Sequence, residues 1–387
     1  MKVTTPKYYK KFKCIADKCE DTCCKGWEII IDKDTLEKYR NNKSDFSKKL
    51  NSKIILYQDN EPGFKLEGEN CPFLNSNNLC DIYINLGEEN LCNTCKAFPR
   101  IIEVYGNIKE ISLSLGCPEA TRLLLMEKDK IKFETCEDKE IVTFYNDINF
   151  EMFSQIISAR NVGMNIIRDR SISLDKRICL YLLFSKEVQD CLDNLQVSKI
   201  TDVKEKFKDK NYLNKLILKI NKYKENGNEK YIIIHKMIDV FKDLETINNI
   251  WSKKLQCVYD TFYSGECDFE YFIKLHKSFM EYYEDRIYEY ENIMIYFVFR
   301  YFMKCINDCD LLSKVILSIF SFIVIIELDV SKWINSNKKL EFQDQVDIVH
   351  LFSKEVEHSE DNIMKLYEMF EKNNEFQIEN IIKTILN

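Results

Sequence analysis

The chain has 387 residues, 45% apolar and 31% charged, a length that allows about two or three domains and a composition that excludes wholesale disorder. Its formal net charge of -7 argues against a nucleic-acid binder, because phosphate contacts need a basic face. Sixteen cysteines in a chain that opens MKVTTPKYYKKFK, without the apolar run of a secretory signal, predict a cytoplasmic protein whose reduced thiols serve metal rather than disulfides.

The first unusual stretch is CIADKCEDTCCKGW, residues 14–27, which carries Cys14, Cys19, Cys23 and Cys24. Cys19 and Cys23 share a face if that turn is helical, whereas the adjacent Cys23 and Cys24 point apart on helix or strand, so the pair is expected to split its duties. Trp27 reads first as core packing and second as a shield or pocket wall. Asp34 or Thr35 is expected to cap a helix through Leu36 and Tyr39. Ile54–Tyr57 and Ile108–Leu115 are expected to make a small sheet.

Gly63 and Gly68 have the outer spacing of a phosphate-cradling loop, but Glu69 and Asn70 follow where Lys and Ser or Thr are required. No two glycines stand two residues apart, so the dinucleotide-binding turn is absent as well. CPFLNSNNLC, LCNTCKAFPR and LGCPEA then bring Cys71, Cys80, Cys92, Cys95 and Cys117. Arg100 could hold a carboxylate through a bidentate pair, with a plain surface role as the alternative. Pro118 suits the first turn of a helix through Thr121–Met126.

All five prolines and six of nine glycines lie in the first 118 residues. Both residue types oppose helix interiors, so an irregular head is expected to precede a long helical body. Leu213, Leu216, Ile217 and Ile220 fall on one helical face, as do Ile233, Met237, Val240 and Leu244, with turns at Asn226-Gly227 and Ser264-Gly265. Val315–Ile326, 12 residues long, falls short of the roughly 20 needed to cross a membrane; it reads as a buried helix, with peripheral membrane contact as the second reading. The predicted fold is mainly α: a small Cys-rich α+β or irregular metal-binding region, residues 1–125, packed on a larger all-helical region, residues 126–387.

Nine of the sixteen cysteines lie between Cys14 and Cys117, a density that points to metal. The four histidines, His235, His276, His350 and His358, are all far downstream, so thiolate ligands are expected, suited to iron–sulfur or zinc. Cys136, Cys179, Cys191, Cys257 and Cys267 read as small buried hydrophobes, and the Cys305/Cys309 pair reads as core. The usual radical S-adenosylmethionine signature, C-x(3)-C-x(2)-C, is not matched, since Cys19, Cys23 and Cys24 give C-x(3)-C-C.

FKCIADKCEDTCCKGWEIIID, CPFLNSNNLC, CKAFPR and SLSLGCPEA, in that order, closely resemble the flagellin lysine N-methylase family, with a cysteine pattern also similar to putative zinc- or iron-chelating proteins. The resemblance covers roughly residues 8–125. It implies a cytoplasmic enzyme moving a methyl group from S-adenosylmethionine to flagellin lysines, with a 4Fe-4S cluster, or zinc as the alternative, on Cys14, Cys19, Cys23, Cys24, Cys71, Cys80, Cys95 and Cys117. Cys92 departs from the pattern and reads as a bystander. Flagellin is the implied partner, with no nucleic acid and no transmembrane span. The competing reading is a non-enzymatic zinc- or iron-binding structural or redox-sensing protein. Lysine is protonated at neutral pH, so methyl transfer needs a carboxylate, a tyrosine or a desolvating pocket to free its amine; composition does not select which.

Overall fold

The computed structural model describes residues 1–57, 60–138, 149–224, 227–265 and 267–387; Asn226 of the expected turn lies outside them. The strands are β1 (Lys2–Pro6), β2 (Ile54–Leu56), β3 (Pro62–Phe64), β4 (Arg100–Tyr105), β5 (Ile108–Leu113) and β6 (Phe133–Glu137). Four form a sheet in the order β4-β5-β1-β6, with β5 antiparallel to β4 and parallel to β1, and β6 antiparallel to β1. Gly106, at φ 57°, takes the first position of the two-residue turn from β4 to β5, where a side chain would be strained. β2 and β3 pair separately as an antiparallel ribbon.

The first α-helix, Lys33–Asn41, is capped by Asp32 rather than by Asp34 or Thr35. Asp32 Oδ1 accepts from the Thr35 N–H at 3.0 Å, and its Oδ2 accepts from the distant Asn93 N–H at 2.8 Å. A tertiary contact thus chose between neighbouring polar residues of similar capping propensity. Pro118 opens the helix Pro118–Leu125, as its fixed φ favours.

From Phe150 onward the described chain is helical, arranged around the helix Leu311–Asn335. That helix packs against Leu174–Asp193, Asn249–Phe262, Ile287–Tyr301, Phe342–Phe352 and Glu360–Lys372. At 25 residues it is longer than its apolar run, and it is long and apolar enough to cross a membrane, although most of it is buried in the fold. The expectation of a segment too short to span is corrected here. Ser318 and Ser321 do not interrupt the helix, because their hydroxyls donate to the Lys314 and Leu317 carbonyls four residues back.

The buried apolar side chains separate into two cores. The larger joins the helical body to Tyr8, Tyr105, Leu113, Leu115 and Leu124; the smaller gathers Ile29, Ile31, Tyr39, Leu50, Phe64, Phe73 and Ile82 with Cys71 and Cys92. The four-stranded sheet extends past residue 125 through β6 and belongs in packing to the helical body. Arg160 and Glu110, with side chains 4% and 5% exposed, join that body to β5. The Asn292 amide donates to the carbonyls of Leu124 and Glu127.

Among the downstream thiols, Cys179 and Cys305 are buried, and Cys191, Cys257 and Cys267 are half-buried. Cys136, expected inside, is exposed on the edge strand β6. Cys305 and Cys309 do not share a helix face: the α-helix stops at Tyr301, and Cys309 sits exposed at φ 57°.

Candidate functional site: a thiol layer and the cavity beside it

Local hydrogen bonding folds the cysteine segments onto one another. The Cys71 N–H donates to the Cys24 carbonyl at 2.8 Å and the Gly26 N–H to the Glu69 carbonyl at 2.9 Å, so residues 24–26 lie along residues 69–71. Gly26 is required there: its φ is +94°, and a Cβ would stand 2.5 Å from Ile247. The Thr94 hydroxyl donates to the Ile30 carbonyl at 3.0 Å, bringing up the short helix Asn93–Ala97 with Cys92 at its N-cap and Cys95 in its turn.

Six thiols come within electrostatic reach of one another as a chain of pairs: Cys24 with Cys23, Cys71 and Cys80, Cys71 with Cys80 and Cys92, and Cys95 with Cys92, Cys24 and Cys71. Pairing with Cys24 lowers the Cys23 thiol and pairing with Cys95 lowers Cys92, while Cys24 and Cys95 are raised in turn. Burial pushes the Cys71 thiol up to about 12. Cys14, Cys19 and Cys117 form a second neighbourhood, in which burial raises Cys19 and takes Cys117 to about 12. The eight cysteines carried by the family resemblance are therefore divided between two places. Cys92, read from sequence as a bystander, is an integral member of the larger group. Among the described residues, no three His, Cys, Asp or Glu side chains are gathered closely enough to hold a single metal ion. In donor chemistry the six thiols suit a thiophilic metal and offer nothing to hard, oxygen-seeking ions.

The histidines missing from the head arrive from the other end of the chain. His350 places Nδ1 3.1 Å from the Gly116 carbonyl and Nε2 3.1 Å from Asp21, within the first cysteine motif. Lys354 reaches the same carboxylate at 2.5 Å and stands 5.5 Å over the Trp27 ring. Burial raises the Asp21 carboxyl, but its bonds to His350 and Lys354 outweigh that and hold it well below the usual range. Trp27 stacks on His358 at 5.0 Å and leans on Phe98 at 5.3 Å, so it packs behind two residues of the cavity without lining it.

Beyond Trp27 lies a cavity of about 310 Å³, lined by Thr94, Ala97, Phe98 and Pro99 from the head, by Arg100, Ile101 and Ser114 from the strands β4 and β5 and the turn after them, and by Arg300, Glu357 and His358 from the helical body. Its volume is at the lower end of ligand-binding clefts. The helix Phe342–Phe352 runs into one π-helical turn, Ser353–Glu357, a distortion frequent at functional sites. That turn delivers Glu357 and His358 to the cavity.

Glu357 Oε2 accepts from the hydroxyls of Tyr296 at 3.0 Å and Tyr301 at 2.9 Å. Its Oε1 is buried without a hydrogen-bond partner, as is the Oγ of Ser353, which is near enough to favour the charged carboxylate. Burial raises the Glu357 carboxyl, against the opposing pull of Arg300 and the hydroxyls. His358 Nε2 lies 3.0 Å from Ser114 Oγ. Although His358 as a residue is exposed, enclosure of the imidazole by protein and the cations Arg300 and Lys354 press it down to about 4, so the imidazole is neutral at physiological pH. Gly116 leaves room for this ring, since a Cβ would stand 2.6 Å from Nε2. Arg300 donates to Glu103 at 2.9 Å, and Arg100 stands 5.5 Å over Phe12. Neither Arg300, Glu357 nor His358 carries a local motif; their signal is spatial.

A thiol-rich head docked on a helical body, with a cavity lined by residues of both, defines a two-part protein. The chain belongs to the FliB lysine N-methylase family: residues 160–384 match the family's FliB lysine N-methylase C-terminal domain. It is 38% identical over 133 residues to the lysine-N-methylase of Salmonella typhimurium, a match covering 33% of each chain. The lysine-N-methylase of Salmonella choleraesuis matches at the same identity and extent. The flagellar biosynthetic protein FliU of Salmonella muenchen is also 38% identical over 133 residues, 33% of this chain and 79% of that protein. The match thus spans a third of the length of the two lysine-N-methylases. No solved structure matches the chain.

Proposed function

We propose that the protein is a cytoplasmic lysine N-methylase that transfers a methyl group from S-adenosylmethionine to side chains of flagellin, at the cavity between head and helical body. The observation that carries this reading is the cavity's joint construction: Thr94–Ile101 follow directly on the Cys92/Cys95 pair, while Arg300, Glu357 and His358 belong to the part that matches the family. The flagellar name of one relative supports flagellin as substrate. Arg100 and Arg300 would hold the donor's carboxylate, as guanidinium forks suit carboxylates. Phe98, Pro99 and Ile101 offer an apolar wall to a lysine stem.

For the metal, Cys23, Cys24, Cys71, Cys80, Cys92 and Cys95 are the residues that would hold an iron–sulfur cluster. A bound cluster supplies one-electron chemistry, and four thiolates suffice for one. A structural zinc or iron centre is the second reading, favoured by the placing of Cys71 and Cys92 inside the small core. Anaerobically purified protein separates the two: brown, iron-containing protein supports the cluster, and colourless, iron-free protein removes it. Incubation with labelled S-adenosylmethionine and flagellin tests the activity. Label on lysine is expected, and no transfer under reducing, oxygen-free conditions overturns the enzyme.

A further inference from the structure

Resting on that reading, we infer that Glu357, held by Tyr296 and Tyr301, is the group that receives the side-chain amine of the substrate lysine and takes its proton. Three features converge on this carboxylate. It lines the cavity from the end of the π-helical turn. One of its oxygens is fixed by two phenol donors at 3.0 and 2.9 Å, while the other is sealed from bulk water and lacks a partner. A buried acceptor left without a donor is costly unless a ligand supplies one, and an ammonium reaching down the apolar wall does so.

The competing base in the cavity is His358, whose Nε2 is taken up by Ser114 and whose ring is stacked on Trp27. Its basicity is pressed down to about 4, far from a proton acceptor's optimum. Burial moves Glu357 the other way, toward that optimum. The charged and titratable groups facing Glu357 are Arg300, Lys304, Tyr296 and Tyr301 from the helix Ile287–Tyr301 and the turn after it, Glu103 through Arg300 from β4, and the adjacent His358. Burial and the neighbouring Glu357 charge keep Tyr296 and Tyr301 protonated, hence donors. Arg100 and Arg300 add positive charge to the cavity, which disfavours the ammonium relative to the amine.

The step balances. The lysine ammonium gives its proton to the Glu357 carboxylate; the freed nitrogen pair forms a bond to the methyl carbon of a sulfonium donor, and the carbon–sulfur bond breaks with its pair returning to sulfur as a thioether. The product is a methylated ammonium. Glu357 then sheds its proton to solvent.

The test uses the full-length protein with Glu357→Gln, which keeps the shape and the contacts to both phenols, and with Tyr296→Phe/Tyr301→Phe. Methyl transfer to flagellin by Glu357→Gln is expected to fall about 10²–10⁴-fold at pH 7, with the deficit shrinking as pH approaches about 10, where lysine deprotonates unaided. The double phenylalanine variant removes donors that favour the carboxylate, so the acid limb of its pH profile shifts to higher pH. A Glu357→Gln variant as active as wild type at pH 7, or equally deficient at every pH, overturns the inference. Binding of n-butylamine, followed by NMR at pH 8, is read separately: wild type binds and Glu357→Gln does not. Wild type that binds the amine yet transfers no methyl overturns the proposed activity and leaves the amine site standing; wild type that does not bind it overturns the site.

Discussion

The small core and the large one hold together by different means. In the helical body, helices such as Ile287–Tyr301 and Leu311–Asn335 bury almost every apolar side chain they carry. In the head, the short elements between Ile29 and Cys95 enclose few large apolar groups, and thiols fill positions that Leu or Phe would fill elsewhere. Too small an apolar core is commonly supplemented by metal or crosslinks. The body supplies a large apolar core together with Arg300, Glu357 and His358 of the cavity, and the head supplies the thiols.

This contrast can be broken in graded ways. The largest effect is expected from Cys92→Ser, and from chelation if the proposed metal is bound, which should release hydrogen-exchange protection across residues 24–95 while protection of Leu311–Asn335 persists; simultaneous loss in both would show one cooperative unit instead. Next, Glu110→Ala leaves the buried Arg160 unpaired where the sheet meets the body, and should destabilise the body by about 3–5 kcal/mol in chemical denaturation.

Asp21→Asn should have a smaller effect, loosening the head from His350 and Lys354. Its pH dependence follows from the depressed carboxyl: the stability it contributes is present above the unfolded value of about 4 and is lost as pH falls through the lower folded value. Acid titration of stability should therefore flatten below about pH 4 in Asp21→Asn relative to wild type. The smallest effect is expected from Lys186→Ala, which removes an exposed pair with Asp190 and should change stability by about 0.5 kcal/mol or less.

The helical body was legible because proline is missing after Pro118 and apolar spacing follows the helical period. Ile233 and Met237 are buried, while Leu213, Leu216 and Ile217 pack at the core's margin. Helix length was harder to read: polar Ser318, Ser321, Glu327 and Asp329 are buried within Leu311–Asn335, so an apolar run marks only part of it. The cysteine density in the head was equally plain. Its division into two neighbourhoods was not, because spacing along the chain does not tell which hairpin brings Cys24 to Cys71. The cavity was least legible of all. Ser114 and His358 meet across 244 residues, and Glu357 gains its partners only when two distant helices pack.

Kinetics of methyl transfer with one substitution on each wall of the cavity bears most directly on a site shared by head and body. Arg100→Ala and Arg300→Ala are each expected to raise KM for S-adenosylmethionine about tenfold or more, in keeping with loss of a charge-assisted bond, while both proteins stay folded. Wild-type kinetics in either variant would put the reaction elsewhere.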